Sequence, residues 1–251
     1  AEDMLKKCRQ AAFVTVYALP DLSVLSVQWD TGADTAVAAE LQADAYGGDW
    51  HALLTSLFST DIRKVGHHIK DTMRALLEQG LPAEGYVFDT ALAAYLLDAT
   101  AGSYDLQRLF VAYFSEELPK PAHLERDAFA PLGDTAAAWA ALHSYCSAVA
   151  ALYGILPQKL REENMTELYE TVELPLCAVL ARMERRGFLV DGKALAAFGE
   201  DMADRLAALE QRIYEAAGMK FNINSPKQLG TVLFEKMQLP HGKKTKTGWS
   251  T

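Results

Sequence analysis

Cysteine is scarce in this sequence: Cys8, Cys146 and Cys177 are the only three in 251 residues, and they lie far apart. That excludes a disulfide framework and a closely spaced cysteine zinc site, and a reducing, cytoplasmic setting is expected. Long apolar runs are also missing. No uninterrupted stretch of eighteen apolar residues occurs, so no membrane span is expected. The first ten residues, AEDMLKKCRQ, contain neither an initiator Met nor an apolar signal core, the start expected of a fragment. A third scarcity is local. The chain is acidic overall, at a net −9, yet residues 9–20 and 135–161 contain no Asp or Glu.

What is present is globular: 50% apolar residues, 23% charged, with 16 Gly and 9 Pro. The length suits one large domain or two modest ones. Charge is unevenly distributed. From Lys220 to Thr251 there are six Lys and one acid (Glu235), so this end carries +5 and the remaining residues −14. A basic end on an acidic body suits anion binding, and so does a solvated charged terminus.

Periodicity divides the chain near residue 163. Apolar AAFVTVYAL (11–19) and SVLSVQWD (23–30) read as strands, the second alternating Val24, Ser26 and Gln28 against Leu25, Val27 and Trp29. TAVAAEL (35–41) reads as a third strand. Asp49 is in position to cap a short helix through HALLTSLF. A strand at 63–67 then leads into a helix from Ile69 to Gln79, stopped by Gly80. GYVFDT leads into TALAAYLLDA, DLQRLFVAYF is a further helix, 116–133 reads as loop and 134–156 as an Ala-rich helix. Strands first, then strands alternating with helices, predict an α/β domain around one mixed sheet over 1–163.

Beyond that point, 164–251, only helices are expected. Asn164 with Glu167 has capping-box spacing, and Leu168, Val172, Leu176, Val179 and Met183 follow at helical intervals with Pro175 as a kink. FLVD (188–191) reads as an extended link. The next helix presents Leu195, Phe198, Met202, Leu206, Leu209 and Ile213 on one face and ends at Gly218. About twenty-five residues of helix span roughly 38 Å, and two such helices running antiparallel would make a lever.

FNINSPKQLGTVLFEKMQLP is the most informative segment. Ser225 falls at an N-cap, Pro226 suits the first turn, and Gln228 completes a Ser-x-x-Gln capping box. Asn222, Asn224, Ser225 and Lys227 gather at the positive end of the helix, which suits an anion, although a capped structural helix accounts for Ser, Pro and Gln equally well. HGKKTKTGWST follows with three Lys, four hydroxyls and no acid, the donor set that contacts phosphate oxygens.

These residues, with KKTKTGWST and the upstream ELPLCAVLARMERRGFLVD, resemble the thumb subdomain of bacterial family A DNA polymerases of the DNA polymerase I type. KVGHHIKD and GYVFDTALAAYLLDATAG resemble the 3′–5′ exonuclease-like domain of the same family, in the same order. The resemblance implies a ribonuclease-H-like α/β domain followed by an all-α thumb. It also implies duplex primer–template DNA as partner, a monomer, and a bacterial, nucleoid-associated parent enzyme used in replication and repair. Contacts to the sugar-phosphate backbone would come from Asn222, Asn224, Ser225, Lys227 and Gln228. The thumb tip would supply Lys243, Lys244, Thr245, Lys246, Thr247, Ser250 and Thr251. Fingers and palm of the same polymerase, with the carboxylates that bind Mg²⁺, would follow residue 251, so no cofactor is expected in this stretch.

The exonuclease-like domain departs from the family pattern at its carboxylates. Two-metal hydrolysis needs several converging acids. The family's Asp-x-Glu meets Tyr17-Ala18-Leu19. Its Lys-x-Gly-x-Asn-x-Lys-x-Asp meets Lys64 to Thr72, with Thr72 at the acid position and Asp71 one residue early. The late Tyr-x-x-x-Asp falls near Ala141 to Tyr145, in the acid-free stretch. Tyr17, Leu19, Thr72 and Tyr145 therefore stand where ligands belong, and no metal site or nuclease activity is expected. One rival is an exonuclease with displaced ligands drawn from Asp21, Asp71 and Asp89. Another is a non-enzymatic interaction module docking through its acidic body. His67 and His68, being adjacent, read as a structural pair, and Gly47-Gly48 lacks a P-loop Lys. Cys146 and Cys177 read as packed thiols.

Overall fold

A computed structural model describes residues 2–29 and 37–240. The chain divides into two compact units, Ala1–Gly187 and Phe188–Thr251.

The first unit opens with a helix that the sequence reading did not anticipate, α1 (Glu2–Gln10). Met4, Leu5 and Cys8 lie at helical spacing, Leu5 and Cys8 are buried, and an exposed Lys7–Asp3 pair at 2.7 Å spans one turn. Then follow β1 (Val14–Ala18), β2 (Val24–Trp29) and β3 (Val37–Gln42), a meander paired antiparallel. The remainder of the α/β pattern is α2 (Trp50–Leu57), β4 (Lys64–Gly66), α3 (Ile69–Glu78), β5 (Tyr86–Asp89), α4 (Thr90–Leu97), α5 (Leu106–Phe114) and α6 (Thr135–Glu162). The sheet order is β3-β2-β1-β4-β5, with β4 and β5 parallel to β1. This is the mixed, ribonuclease-H-like arrangement expected.

Both faces of the sheet are covered, so all six residues of β2 are buried despite their alternating polarity. Leu25, Val27 and Trp29 join α1 and α2 in one core. Val24 packs with Ala138 and Leu142 of α6 on the other face. There Gln28 Nε2 donates to His143 O at 3.3 Å and to Ser147 Oγ at 2.9 Å, which satisfies a polar side chain that burial would otherwise penalise. Among the described residues, α6 alone is long and apolar enough to cross a membrane. It is the core helix of this unit, burying Tyr145, Cys146, Val149, Leu152, Leu156 and Leu160.

α6 runs past its expected end at 156 and through Pro157, because Leu156 and Leu160 continue the buried face. Asn164 is not an N-cap. It takes φ +56°, and its N–H and that of Met165 return to Arg161 O and Leu160 O, so it closes α6 instead. The next short helix, α7 (Thr166–Leu168), has no side-chain cap. Pro175 sits in the first turn of α8 (Leu174–Arg186), after a π-turn over Tyr169–Glu173. A widened turn relieves the backbone where proline can neither donate nor tolerate the preceding carbonyl.

The first compact unit ends at Gly187, so α8 belongs to it. α8 packs on α3, where Cys177 and Ala181 share a core with Ile69 and Met73. Glu184 also takes Lys70 Nζ at 2.5 Å and faces Arg74 Nε at 3.7 Å.

Within the second unit, α9 (Gly192–Ala217) is capped by Asp191, which accepts from Lys193 N and Ala194 N, and ends at Gly218 with φ +68°. Tyr214 meets Phe221 edge-on, and α10 (Pro226–Gly230) continues into a π-turn over Thr231–Lys236.

Candidate functional sites

The parallel strands β1, β4 and β5 end together, and the region beyond their carboxyl ends is where α/β sheets ordinarily bind ligands. A cavity of about 610 Å³ lies there. Tyr17 near the end of β1, Leu19 just past it, Thr72 on α3 and Tyr145 on α6 all line it. The rings of Tyr17 and Tyr145 approach to 5.3 Å between centroids. Tyr145 Oη donates to Pro119 O at 3.0 Å. Burial pushes both Tyr17 and Tyr145 above the ordinary phenol range.

The three carboxylates of the displaced-ligand reading do not converge. Asp71 lines the cleft but is exposed and 3.5 Å from Lys70. Asp21 accepts from Ser23 N and Ser23 Oγ and lies 3.5 Å from Arg126. Asp89 is buried and fully used: Oδ1 accepts from His68 N, Ala91 N and Leu92 N, and Oδ2 from Ile69 N, at 2.9–3.3 Å. It caps α4 and also binds the entry of α3. Burial pushes its carboxyl above the ordinary range, and these amides oppose that shift. Tyr169 completes the strand end, its Oη accepting from Asp89 N at 2.6 Å and donating to Asp89 O at 3.2 Å. Among the described residues, no three His, Cys, Asp or Glu side chains gather where they could hold a metal ion.

The adjacent histidines serve the fold. His67 Nδ1 pairs with Thr90 Oγ1 at 2.8 Å, and burial pushes its imidazole down to about 3. His68 adopts φ +51° ahead of α3. Lys64, which the family-like pattern singled out, is also structural. Its buried Nζ donates to Ser59 O at 2.8 Å and Ile62 O at 2.6 Å, and burial pushes it down to about 7. Gly85 makes room for it: at φ +74°, a Cβ there would lie 2.4 Å from Ile62 O and 2.6 Å from Lys64 Nζ. Cys146 Sγ reaches Thr15 O and Ser26 O at 3.5 Å, and burial pushes its thiol up to about 12, the state of a packed cysteine.

In the second unit, residues 222–228 form a closed turn. Ser225 caps α10, its Oγ accepting from Gln228 N at 3.4 Å. The capping box is not reciprocal, since Gln228 Oε1 accepts from Asn222 N at 2.9 Å rather than from Ser225 N. Asn222 Oδ1 accepts from Asn224 N at 3.0 Å, and Asn222 O accepts from Ser225 N at 3.0 Å. Asn222, Asn224, Lys227 and Gln228 are exposed around the turn. The expected tip residues Lys243, Lys244, Thr245, Lys246, Thr247, Ser250 and Thr251 lie outside the described residues.

Two family models match the chain. Residues 15–161 match the family model described as 3′–5′ exonuclease, and residues 192–251 match DNA polymerase family A. The chain is 42% identical over 178 residues to DNA polymerase I of Geobacillus stearothermophilus, covering 70% of this chain and 20% of that protein. It is 53% identical over 93 residues to DNA polymerase I of Lactococcus lactis subsp. lactis, covering 37% and 11%. Among solved structures, the POL domain of Pol1 from M. smegmatis, in complex with DNA primer-template and dNTP, is similar with a TM-score of 0.75 and 28% identity. That match covers 99% of this chain and 41% of the other. The chain thus spans about a fifth of the length of the Geobacillus relative. With an exonuclease-family domain over more than half its residues and a polymerase-family segment after it, the chain belongs to family A DNA polymerases of the bacterial DNA polymerase I type.

Proposed function

We propose that this chain is the part of a DNA polymerase I that holds duplex primer–template DNA by its phosphate backbone, beside a nuclease-like domain without catalytic activity. The observation that carries the DNA reading is the closed turn at 222–228, where Asn222, Asn224, Ser225, Lys227 and Gln228 offer amide, hydroxyl and ammonium donors with no acid among them. Such donors suit phosphate oxygens and carry no base preference. A structural relative that holds a primer-template supports the same reading. Lys243, Lys244, Thr245, Lys246, Thr247, Ser250 and Thr251 form the tip beside them in this proposal. The palm and fingers of the parent enzyme bind Mg²⁺ and carry out nucleotide transfer. Three free, buried cysteines suit the bacterial cytoplasm.

The reading of a silent nuclease rests on the cleft. A hydrolytic metal pair needs carboxylates, and Tyr17, Leu19, Thr72 and Tyr145 present two phenols, an isobutyl group and a hydroxyl. This donor set does not fit divalent ions, so no hydrolytic step is derived from it.

Two measurements test the proposal. Fluorescence anisotropy of a labelled DNA hairpin across a salt series should give weak, sequence-independent binding that falls steeply with salt. Replacing Lys243, Lys244 and Lys246 together by Ala should flatten the slope of log affinity against log salt by up to about 2.7 units; an unchanged slope removes the tip from the interface. Incubation with labelled single-stranded DNA and Mg²⁺ or Mn²⁺ should leave it intact, whereas shortening that disappears on Asp71→Ala would overturn the silent-nuclease reading.

A further inference from the structure

The cleft beyond β1, β4 and β5 is open, although aromatic and aliphatic side chains stand where the family pattern has carboxylates. Its volume of about 610 Å³ suits a small molecule, and the ends of parallel strands are where such sheets bind one. Val16, Leu19, Ile69 and Leu124 give it apolar walls, and Tyr17, Tyr86 and Tyr145 add phenol rings. The rings of Tyr17 and Tyr145 are 5.3 Å apart and inclined at 59°, so they form a corner. The Tyr145 hydroxyl is taken by Pro119 O, which leaves its ring as the group available to a ligand. The charged lining is acidic on balance. Asp71 and Asp105 line the cleft, whereas Arg74, its one Lys or Arg among the described residues, is held by Glu78 at 2.6 Å and faces Glu184 at 3.7 Å. Asp105 stands at the N-cap of α5 but accepts no amide of that helix. It accepts from Ser103 Oγ, is exposed, and forms no ion pair among the described residues. Burial, and after it the Asp105 charge, pushes the Tyr145 phenol above the ordinary range, so this carboxylate acts on the aromatic corner.

We propose that the cleft is a binding site for a small organic cation, an alkyl- or arylalkylammonium whose hydrocarbon part lies on the apolar walls and whose charge lies between the Tyr17–Tyr145 corner and Asp105. Aromatic faces attract ammonium groups. A carboxylate with no ion pair of its own adds charge complementarity, and the apolar walls cover the hydrocarbon. The same lining opposes a nucleotide. Among the described residues no metal-ligand cluster is present to neutralise a phosphate, Arg74 is engaged elsewhere, and Asp71 and Asp105 carry the phosphate's own sign of charge. The assignment goes beyond the holding of DNA and uses no residue of the second unit.

Isothermal titration calorimetry of the 251-residue chain with benzylammonium, benzyl alcohol and benzoate, probes of similar shape and different charge, tests the assignment. Benzylammonium should bind about tenfold more tightly than benzyl alcohol, through its added attraction to the rings and the carboxylate. Benzoate should give no heat of binding. Asp105→Asn keeps the side chain's size at an exposed position that caps nothing. It should weaken benzylammonium about threefold and leave benzyl alcohol unchanged. Tyr17→Leu should cost the cation more than the alcohol, whereas Tyr17→Phe, which keeps the ring, should bind both as wild type does. Equal affinity for cation and alcohol overturns the proposal, and so does an Asp105→Asn variant that binds benzylammonium as wild type does. Displacement of benzylammonium by thymidine 5′-monophosphate at matched ionic strength overturns it in favour of a nucleotide site. A wild-type chain that gives no heat with benzylammonium removes it altogether. Hairpin binding is measured separately, so the DNA reading stands or falls on its own.

Discussion

The cleft beyond the sheet and the turn at 222–228 are ordered by different means. Around the cleft, position is set by burial: Tyr17 and Tyr145 meet ring to ring, and Asp89 is enclosed beneath four backbone amides. The turn buries little, and a short circuit of hydrogen bonds among exposed residues holds its shape. A buried frame can persist after its chemical groups have been exchanged, because packing depends on shape and volume more than on charge. An exposed turn has no such reserve. Its polar side chains are both its structure and its means of binding, so a substitution there alters both together.

The largest expected effect lies in the buried frame. Asp89→Ala leaves the amides of His68, Ile69, Ala91 and Leu92 without their acceptor at the starts of two helices. Each stranded buried donor costs about 1–3 kcal/mol. Relief of the carboxylate's own desolvation offsets part of this, leaving an expected loss of about 3–4 kcal/mol. Urea denaturation of the chain, followed by far-UV circular dichroism, measures it. A loss below about 1 kcal/mol would mean that Asp89 is an ordinary surface-like cap, and that the distinction between the two regions is wrong.

The next effect is a pH dependence confined to the buried side. Burial pushes His67 from 6.5 down to about 3. Between those values the unfolded chain binds a proton that the folded chain refuses, so stability is full above pH 6.5 and falls as pH drops toward 3. At about 1.36 kcal/mol per pH unit, wild type should lose about 3 kcal/mol between pH 6.5 and pH 4 from this group. Carboxylates titrate in the same range, and a His67→Gln reference cancels their contribution. Parallel pH profiles for the two proteins would show that the ring is not shielded. The turn contains no Asp, Glu or His, so amide protection there, after correction for the intrinsic pH dependence of exchange, should stay level while the first unit weakens.

Much of the frame was legible because local rules produce it. Asp49 caps α2 through Ala52 N at 3.0 Å, α9 ends at Gly218, and the sheet follows the period-two and helical runs from Val14 to Asp89. The four residues at the family's ligand positions line one cleft, a convergence that no spacing rule for a single element contains. What stayed hidden depends on distant partners. Asp89 was read as a candidate ligand because nothing near it announces amides twenty residues upstream. The Tyr169 phenol meets the same strand end from eighty residues away. Asn164 and Glu167 have capping-box spacing, but the left-handed turn that closes α6 claims Asn164 first. The short α1 carries its apolar stripe on only Met4, Leu5 and Cys8, too few residues for a period to stand out.

The smallest effect tests the exposed side with the same kind of residue. Ser225, like Asp89, is an N-cap, but it holds a single amide at 3.4 Å. Ser225→Ala should cost about 0.5 kcal/mol, the low end for a cap, because water replaces the lost acceptor at an exposed helix start. Asp89→Ala should exceed it several-fold, although both substitutions remove one short polar side chain. Function should reverse the order. Ser225 belongs to the circuit that holds Asn222 and Asn224, so Ser225→Ala should weaken hairpin binding measured at 25 °C, where the fold is intact. Asp89→Ala should leave the affinity of its folded fraction unchanged. Paired denaturation and anisotropy curves for the two variants provide the comparison. If Ser225→Ala destabilised the chain as much as Asp89→Ala, the turn would be part of a buried frame after all; if it left binding untouched, the hydrogen-bond circuit would be scaffolding without a ligand.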